Sequence, residues 1–155
     1  MTAATWPDLA GRIIERDGAV AHVLPVRVYF EDTDAGGVAY HASFVRWCER
    51  GRTDFLRLNG SDARRLIDGS DSLEPAAFVV RRMSFDFNRP ARMDDVLEVV
   101  TSVITLGGAS AKLRQLVQRD GVTICEAEVT VVLVAVSGKP LRLSHAVRLA
   151  LGGVV

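Results

Sequence analysis

The sequence predicts an α+β domain in which one long helix lies across an antiparallel sheet. Three observations carry that expectation. A β-branched and aromatic run is followed by one long stretch of helical period. From residue 76 almost to the end the pattern is strand after strand, split by turn signals. Nowhere do strands and helices alternate, as a parallel sheet would require. With 155 residues, 48% hydrophobic and 25% charged, the chain has the make-up of one ordinary globular domain, long enough to bury a core.

Residues 1–24 read as an N-terminal extension. Leu9, Ala10, Ile13 and Ile14 follow Asp8 at the spacing of a short amphipathic helix, which Gly18 would close. A single domain is expected over 25–155. It opens with a strand over 25–30, which runs into an acidic, glycine-rich loop. After His41 the period changes. Phe44, Trp47, Cys48, Gly51, Phe55 and Leu58 form one helical stripe, and Asn59-Gly60 supplies the stop. Gly51 within that stripe predicts a close approach of another backbone.

A short helix is expected around 62–67, then a polar loop. Strands follow over 78–88, 96–106, 111–119 and 123–136. Arg89-Pro90, Gly107-Gly108 and the strong hairpin signal Asp120-Gly121 separate them. The last strand is apolar on both faces, which predicts cover by the helix on one side and by another subunit on the other. Ser137-Gly138-Lys139-Pro140 then turns the chain into a short tail.

Several function classes lose their required residues. Lys and Arg number 19, as do Asp and Glu, so no charge excess suggests nucleic acid or an anionic membrane as partner. No segment has the length of a signal peptide or a membrane span. His22, His41 and His145 make no HxxxH pair, so no metal is expected, and no G-x-S-x-G elbow exists. Asp32-Thr33-Asp34 with Gly36 lacks the further ligands of a calcium loop. Cys48 and Cys125 read as reduced core thiols of a cytoplasmic protein.

Chemistry concentrates at residues 31–41. A carboxylate on a loop entering a helix N-terminus suits attack on a carbonyl. The acid serves as base or nucleophile, and free N–H groups at the helix start hold negative charge developing on oxygen. Asp34-Ala35-Gly36-Gly37 is, by itself, equally good turn chemistry.

The run RVYFEDTDAGGVAYHASFVRWCERGR, residues 27–52, resembles the hot-dog-fold acyl-CoA thioesterases of the 4-hydroxybenzoyl-CoA thioesterase family. Within it the chain is most similar to the YbgC branch, encoded with the Tol-Pal envelope system in many bacteria. Phe78-Val79-Val80-Arg81-Arg82-Met83, Pro90-Ala91-Arg92-Met93-Asp94-Asp95 and Glu126-Ala127-Glu128-Val129 extend the likeness over most of 25–150. Ala39 departs from the family's usual valine, and the segment before Pro25 is longer than usual.

The resemblance implies a hot-dog fold, a sheet wrapped around one central helix, and hydrolysis of an acyl-CoA to free acid and CoA without a cofactor. It matches Asp34 to the catalytic carboxylate, as nucleophile or general base, and the backbone N–H of His41 to the carbonyl-polarising donor. Asp32 becomes a companion acid in a supporting role. Gly37, Val38 and Tyr40 join it as candidate substrate contacts, and Arg81, Arg82, Arg89 and Arg92 are candidates for the CoA phosphates. Glu49, between Arg46 and Arg50, reads as a solvated or ion-paired side chain. The resemblance further implies a homo-oligomer, a dimer of dimers with sites between subunits. The alternative is a non-catalytic module that docks acyl carrier protein or lipid-synthesis enzymes and uses its pocket for recognition.

Overall fold

The structure, a computed structural model, describes residues 8–152 apart from 62, 71 and 73. Among them, strands β1 (Arg12–Arg16), β2 (Ala19–Arg27), β3 (Ala76–Phe87), β4 (Val96–Leu106), β5 (Ser110–Arg119) and β6 (Val122–Ala135) form one sheet. Its order is β1-β2-β4-β5-β6-β3, antiparallel at every pairing. Helix α1 (His41–Leu58) crosses the concave face, and the short helices α2 (Ala63–Ile67) and α3 (His145–Ala150) flank it. This is the hot-dog arrangement that the resemblance implied.

The helical stripe is buried as far as Phe55, whereas Leu58, in the last turn, is 46% exposed. Phe44, Trp47, Cys48, Gly51 and Phe55 are all buried. Two apolar clusters lie beneath α1. Phe44, Trp47 and Cys48 pack with Val28, Leu97, Val99, Val117 and Ile124 at one end. Phe55 packs with Leu66, Leu113, Val129, Leu133 and Val147 at the other. Gly51 lies between them, and a Cβ there would stand 3.1 Å from Val99 Cγ1 and from Thr101 Oγ1. The close approach at this glycine is made by side chains of the sheet, not by the second backbone that was predicted.

The N-terminal segment differs from expectation. Residues 12–16 are a strand, not a helix, and residues 1–7, with Pro7, lie outside the described residues. Asp17 and Gly18 both take positive φ, 52° and 77°, making a tight two-residue hairpin turn. Adjacent apolar residues such as Ile13-Ile14 suit a helix or an edge strand locally, and pairing with β2 decides it. A boundary at residue 24 would therefore cut through β2. Pro25 is tolerated because β1 ends opposite Val23, leaving β2 paired there with β4 alone.

The expected first strand also ends early, at Arg27, and Phe30–Asp32 form a 3₁₀ turn. The tail contains α3, whose N-cap Ser144 accepts the Val147 N–H through Oγ at 3.2 Å. In β6 one face is buried and the other half-buried, so only the first is covered within one chain.

Candidate active site

Between β2 and α1 the chain makes a compact loop, and its acids have different environments. Asp32 is buried at 8% exposure, and its Oδ2 accepts the Tyr29 N–H at 2.8 Å. Its carbonyl accepts the Tyr40 N–H at 2.8 Å and the Ser43 hydroxyl at 2.9 Å. Asp32 therefore ties the loop to the first turn of α1 through its backbone carbonyl, while its carboxylate holds Tyr29 at the loop's start.

Asp34 sits at the tip, on an exposed hairpin closed by the Thr33–Ala39 bridge. Its N–H donates to Val38 O at 2.9 Å and its carbonyl accepts from Gly37 N–H at 3.0 Å. Gly37 takes φ 81°, a conformation that favours glycine. Asp34 Oδ1 accepts the Gly36 N–H at 2.8 Å, which orients the carboxylate. Among the described residues its second oxygen has no recorded protein donor, so the oriented acid keeps one oxygen open. Turn residue and presented carboxylate are compatible here.

The open end of α1 adjoins this loop. Tyr40 is the N-cap. Its own N–H is taken by Asp32 O, and the Ser43 N–H by Tyr40 O at 2.8 Å. The N–H groups of His41 and Ala42 have no such acceptor among the described residues. They are a pair of donors at the positive end of the helix. The His41 ring lies on the exposed side, 4.4 Å from the Tyr40 ring and edge-on to Phe87 at 6.2 Å.

Phe87 brings a wall that sequence reasoning missed. It lies edge-on to Phe44 at 5.6 Å and stacks on Phe85 at 5.7 Å. Both β3 aromatics face the concave side, opposite Cys125 and Ala127 of β6. Their alternation at the end of a strand was the available signal. Only the strand pairing shows that this end meets the helix start.

The candidate arginines separate. Arg89 lies two residues beyond Phe87, with its N–H on Ile124 O, and so adjoins the site. Arg81 and Arg82 lie farther back along β3. Arg82 pairs with Thr130 on the outer face and lines a polar depression with Ser84, Lys112 and Glu128. Within one chain they do not join the Asp34 loop. Arg92 is also exposed, and its N–H donates to Asp95 Oδ2 at 2.9 Å. Glu49 accepts the Thr53 hydroxyl at 2.8 Å. It stands at the mouth of a cleft lined by Phe55, Leu56, Leu66, Phe78 and Val80.

Comparison with known proteins places these features in context. The thioesterase superfamily model matches residues 36–126, beginning two residues after Asp34. An acyl-CoA thioester hydrolase, YbgC, of Escherichia coli O157:H7 is 46% identical over 111 residues, covering 71% of this chain and 79% of that protein. The acyl-CoA thioesterase YbgC of Haemophilus influenzae is 37% identical over 127 residues, covering 81% and 90%. Among solved structures, a probable thioesterase from Bartonella henselae superposes with a TM-score of 0.76 at 38% identity, over 79% of this chain and 98% of its own. A 1,4-dihydroxy-2-naphthoyl-CoA thioesterase from Synechocystis gives 0.76 at 21% identity, over 84% and 95%, a likeness of fold alone.

Proposed function

The chain belongs to the thioesterase superfamily, and we propose that it hydrolyses acyl-CoA thioesters to free acid and CoA at the Asp34 loop. The observation that carries this reading is the oriented, half-open Asp34 carboxylate on the loop that leads into two unclaimed helix N–H groups. A thioester carries a good leaving group, so one carboxylate and oriented donors suffice. The thioester oxygen takes the His41 N–H, with the Ala42 N–H beside it. The open Asp34 oxygen either attacks the carbonyl carbon, expelling CoA thiolate to leave a mixed anhydride that water then cleaves, or removes a proton from the attacking water. Single turnover in ¹⁸O water identifies the anhydride route where water attacks the Asp34 acyl carbon. Label enters the Asp34 carboxylate only by the first route.

Tyr40 and Phe87 would flank the acyl group, Gly37 and Val38 would let substrate approach the loop backbone, and Asp32 would hold the loop. Arg89 is the arginine best placed for a CoA phosphate from the same chain. The His41 imidazole packs between Tyr40 and Phe87, which favours its backbone as the working part.

A homo-oligomer completes the site in this reading. Strand β3 pairs with β6 on one side only, and Val80, Met83 and Phe87 on its concave face are exposed. Two such edges paired about Met83 would set the Phe78–Val80 end of one chain beside Phe87 of the other. The apolar cleft of one protomer would then lie next to its partner's Asp34 loop, and Arg81 and Arg82 would reach the partner's substrate. Pairing of dimers into a tetramer, a Tol-Pal association and a cytoplasmic site come with the YbgC resemblance. Buried free thiols at Cys48 and Cys125 suit a reducing compartment.

Thiol release from a panel of short, medium and aryl acyl-CoAs tests the reading. Asp34→Asn is expected to lower kcat/KM by about 10²–10⁴ on any substrate turned over. Wild type no faster than Asp34→Asn on every substrate would defeat it. Acyl-CoA binding without turnover would favour the recognition module.

A further inference from the structure

Three polar side chains lie fully buried in one row beneath α1. His22, Thr101 and Gln115 are each 0% exposed, and they are register partners across β2, β4 and β5. The row runs between the two apolar clusters, where a hydrophobic residue would pack without any requirement for partners. Buried polar groups are costly unless satisfied, so such a row depends on the partners it meets.

Gln115 makes the specifying contacts. Its Nε2 donates to Cys48 O of α1 at 2.8 Å and to Thr101 Oγ1 at 2.8 Å. Its Oε1 accepts Arg52 Nη1 at 2.8 Å. Only this amide orientation works, because a carbonyl must be met by N–H and a guanidinium by oxygen. The sheet thus grips α1 on two successive turns. Gly51 permits the approach, since a Cβ there would be 3.3 Å from Gln115 Nε2 as well as against Val99 and Thr101.

The consequence is felt at the other end of the helix. A helix moves as a rod over short distances, and Cys48 lies two turns, about 10 Å, from the donors at His41 and Ala42. Tyr40 and Ser43 couple that first turn to Asp32, and through it to the Asp34 loop. We infer that Gln115 and Gly51 are positioning residues for thioester hydrolysis: the Gln115 clamp on α1 sets where the helix-start N–H donors stand. It acts on the site proposed above and rests on that reading for its activity readout.

Steady-state kinetics of Gln115→Met and Gly51→Ala test this on an acyl-CoA that wild type hydrolyses. Met keeps the side-chain length and removes every clamp bond, whereas Ala lifts the helix with Gln115 intact. Both are expected to lower kcat by about 10- to 100-fold with KM within about twofold, measured where denaturation curves show each variant folded. Leu133→Ala, in the distal cluster, is the control, expected to lose stability without losing kcat per folded molecule. Wild-type kcat in the folded variants would overturn the proposal. If wild type hydrolyses no acyl-CoA, the hydrolase reading falls, and amide chemical shifts judge the clamp alone. Shifts at His41 and Ala42 on Gln115→Met support it, and unmoved resonances overturn it.

Discussion

His22 Nε2 stands 2.6 Å from Asp54 Oδ2, joining the second strand to the long helix through an imidazole that solvent does not reach. Asp54 is also bonded to Arg57, and Gly11 passes so closely over the pair that a Cβ there would lie 1.8 Å from Asp54 Oδ2. The contact holds the N-terminal hairpin, the helix and the sheet at one point. Removing Asp54 leaves the buried His22 Nε2 without its partner, so Asp54→Ala is expected to cost about 1–3 kcal/mol in denaturant unfolding. Arg57 is half exposed, and Arg57→Ala is expected to cost under about 1 kcal/mol. Equal losses from the two variants would contradict this division.

Asp32 and Asp34 are two residues apart and should give opposite signatures. Asp32→Ala strips the buried acceptor from Tyr29 N–H, and a loss of about 1–3 kcal/mol is expected. Asp34→Asn keeps an oxygen for the Gly36 N–H and removes only the charge. Its stability should stay within about 0.5 kcal/mol of wild type while thioester hydrolysis collapses. Thermal melts beside thiol-release assays check both halves.

The core thiols predict an alkaline limit. Burial pushes Cys48 and Cys125 up from 9.0 to about 12, with their mutual repulsion adding to Cys48. Between those values the unfolded chain has lost the protons and the folded chain keeps them. Their contribution is therefore complete below about pH 9 and is lost as pH rises toward 12. Unfolding titrations should show that fall, shallower in Cys48→Ala. Native protein at pH 8 should resist a thiol reagent until denatured.

The open edge of β3 predicts association. Met83→Lys puts a charge on the concave side of that edge, where Met83 is 44% exposed in the single chain. Sedimentation should show the assembly shifting toward monomer. If sites form between subunits, hydrolysis should decline in step, and addition of Asp34→Asn protein should restore part of it. That partner supplies an intact β3 to a chain with an intact Asp34.

Local pattern carried much of this molecule. The stripe from Phe44 to Leu58 located α1 together with the glycine at which it touches the sheet. Asp120-Gly121 marked a hairpin whose two residues take φ 51° and 77°. The same reasoning misread Ile13-Ile14, because a short apolar pair suits two periods and only an edge to pair with separates them. It passed over Ser144, although a serine before His-Ala-Val-Arg-Leu-Ala is an N-cap signal. At the site it singled out Asp34, with Asp32 as support. It missed Phe85 and Phe87, which reach the helix start only through the register of β3 against β6.

Neighbours along the chain control period, turn chemistry and a carboxylate placed just ahead of a helix, and these features are legible without the fold. The tertiary structure alone decided which distant residues share a row. His22, Thr101 and Gln115 are separated by up to 93 positions, and no local preference favours a buried polar residue at any of them. They become a clamp because antiparallel pairing puts them side by side and Gly51 lets the helix descend onto them. Gln115 and Thr101 find their partners only in the folded chain, so their role is visible only once those partners are in place.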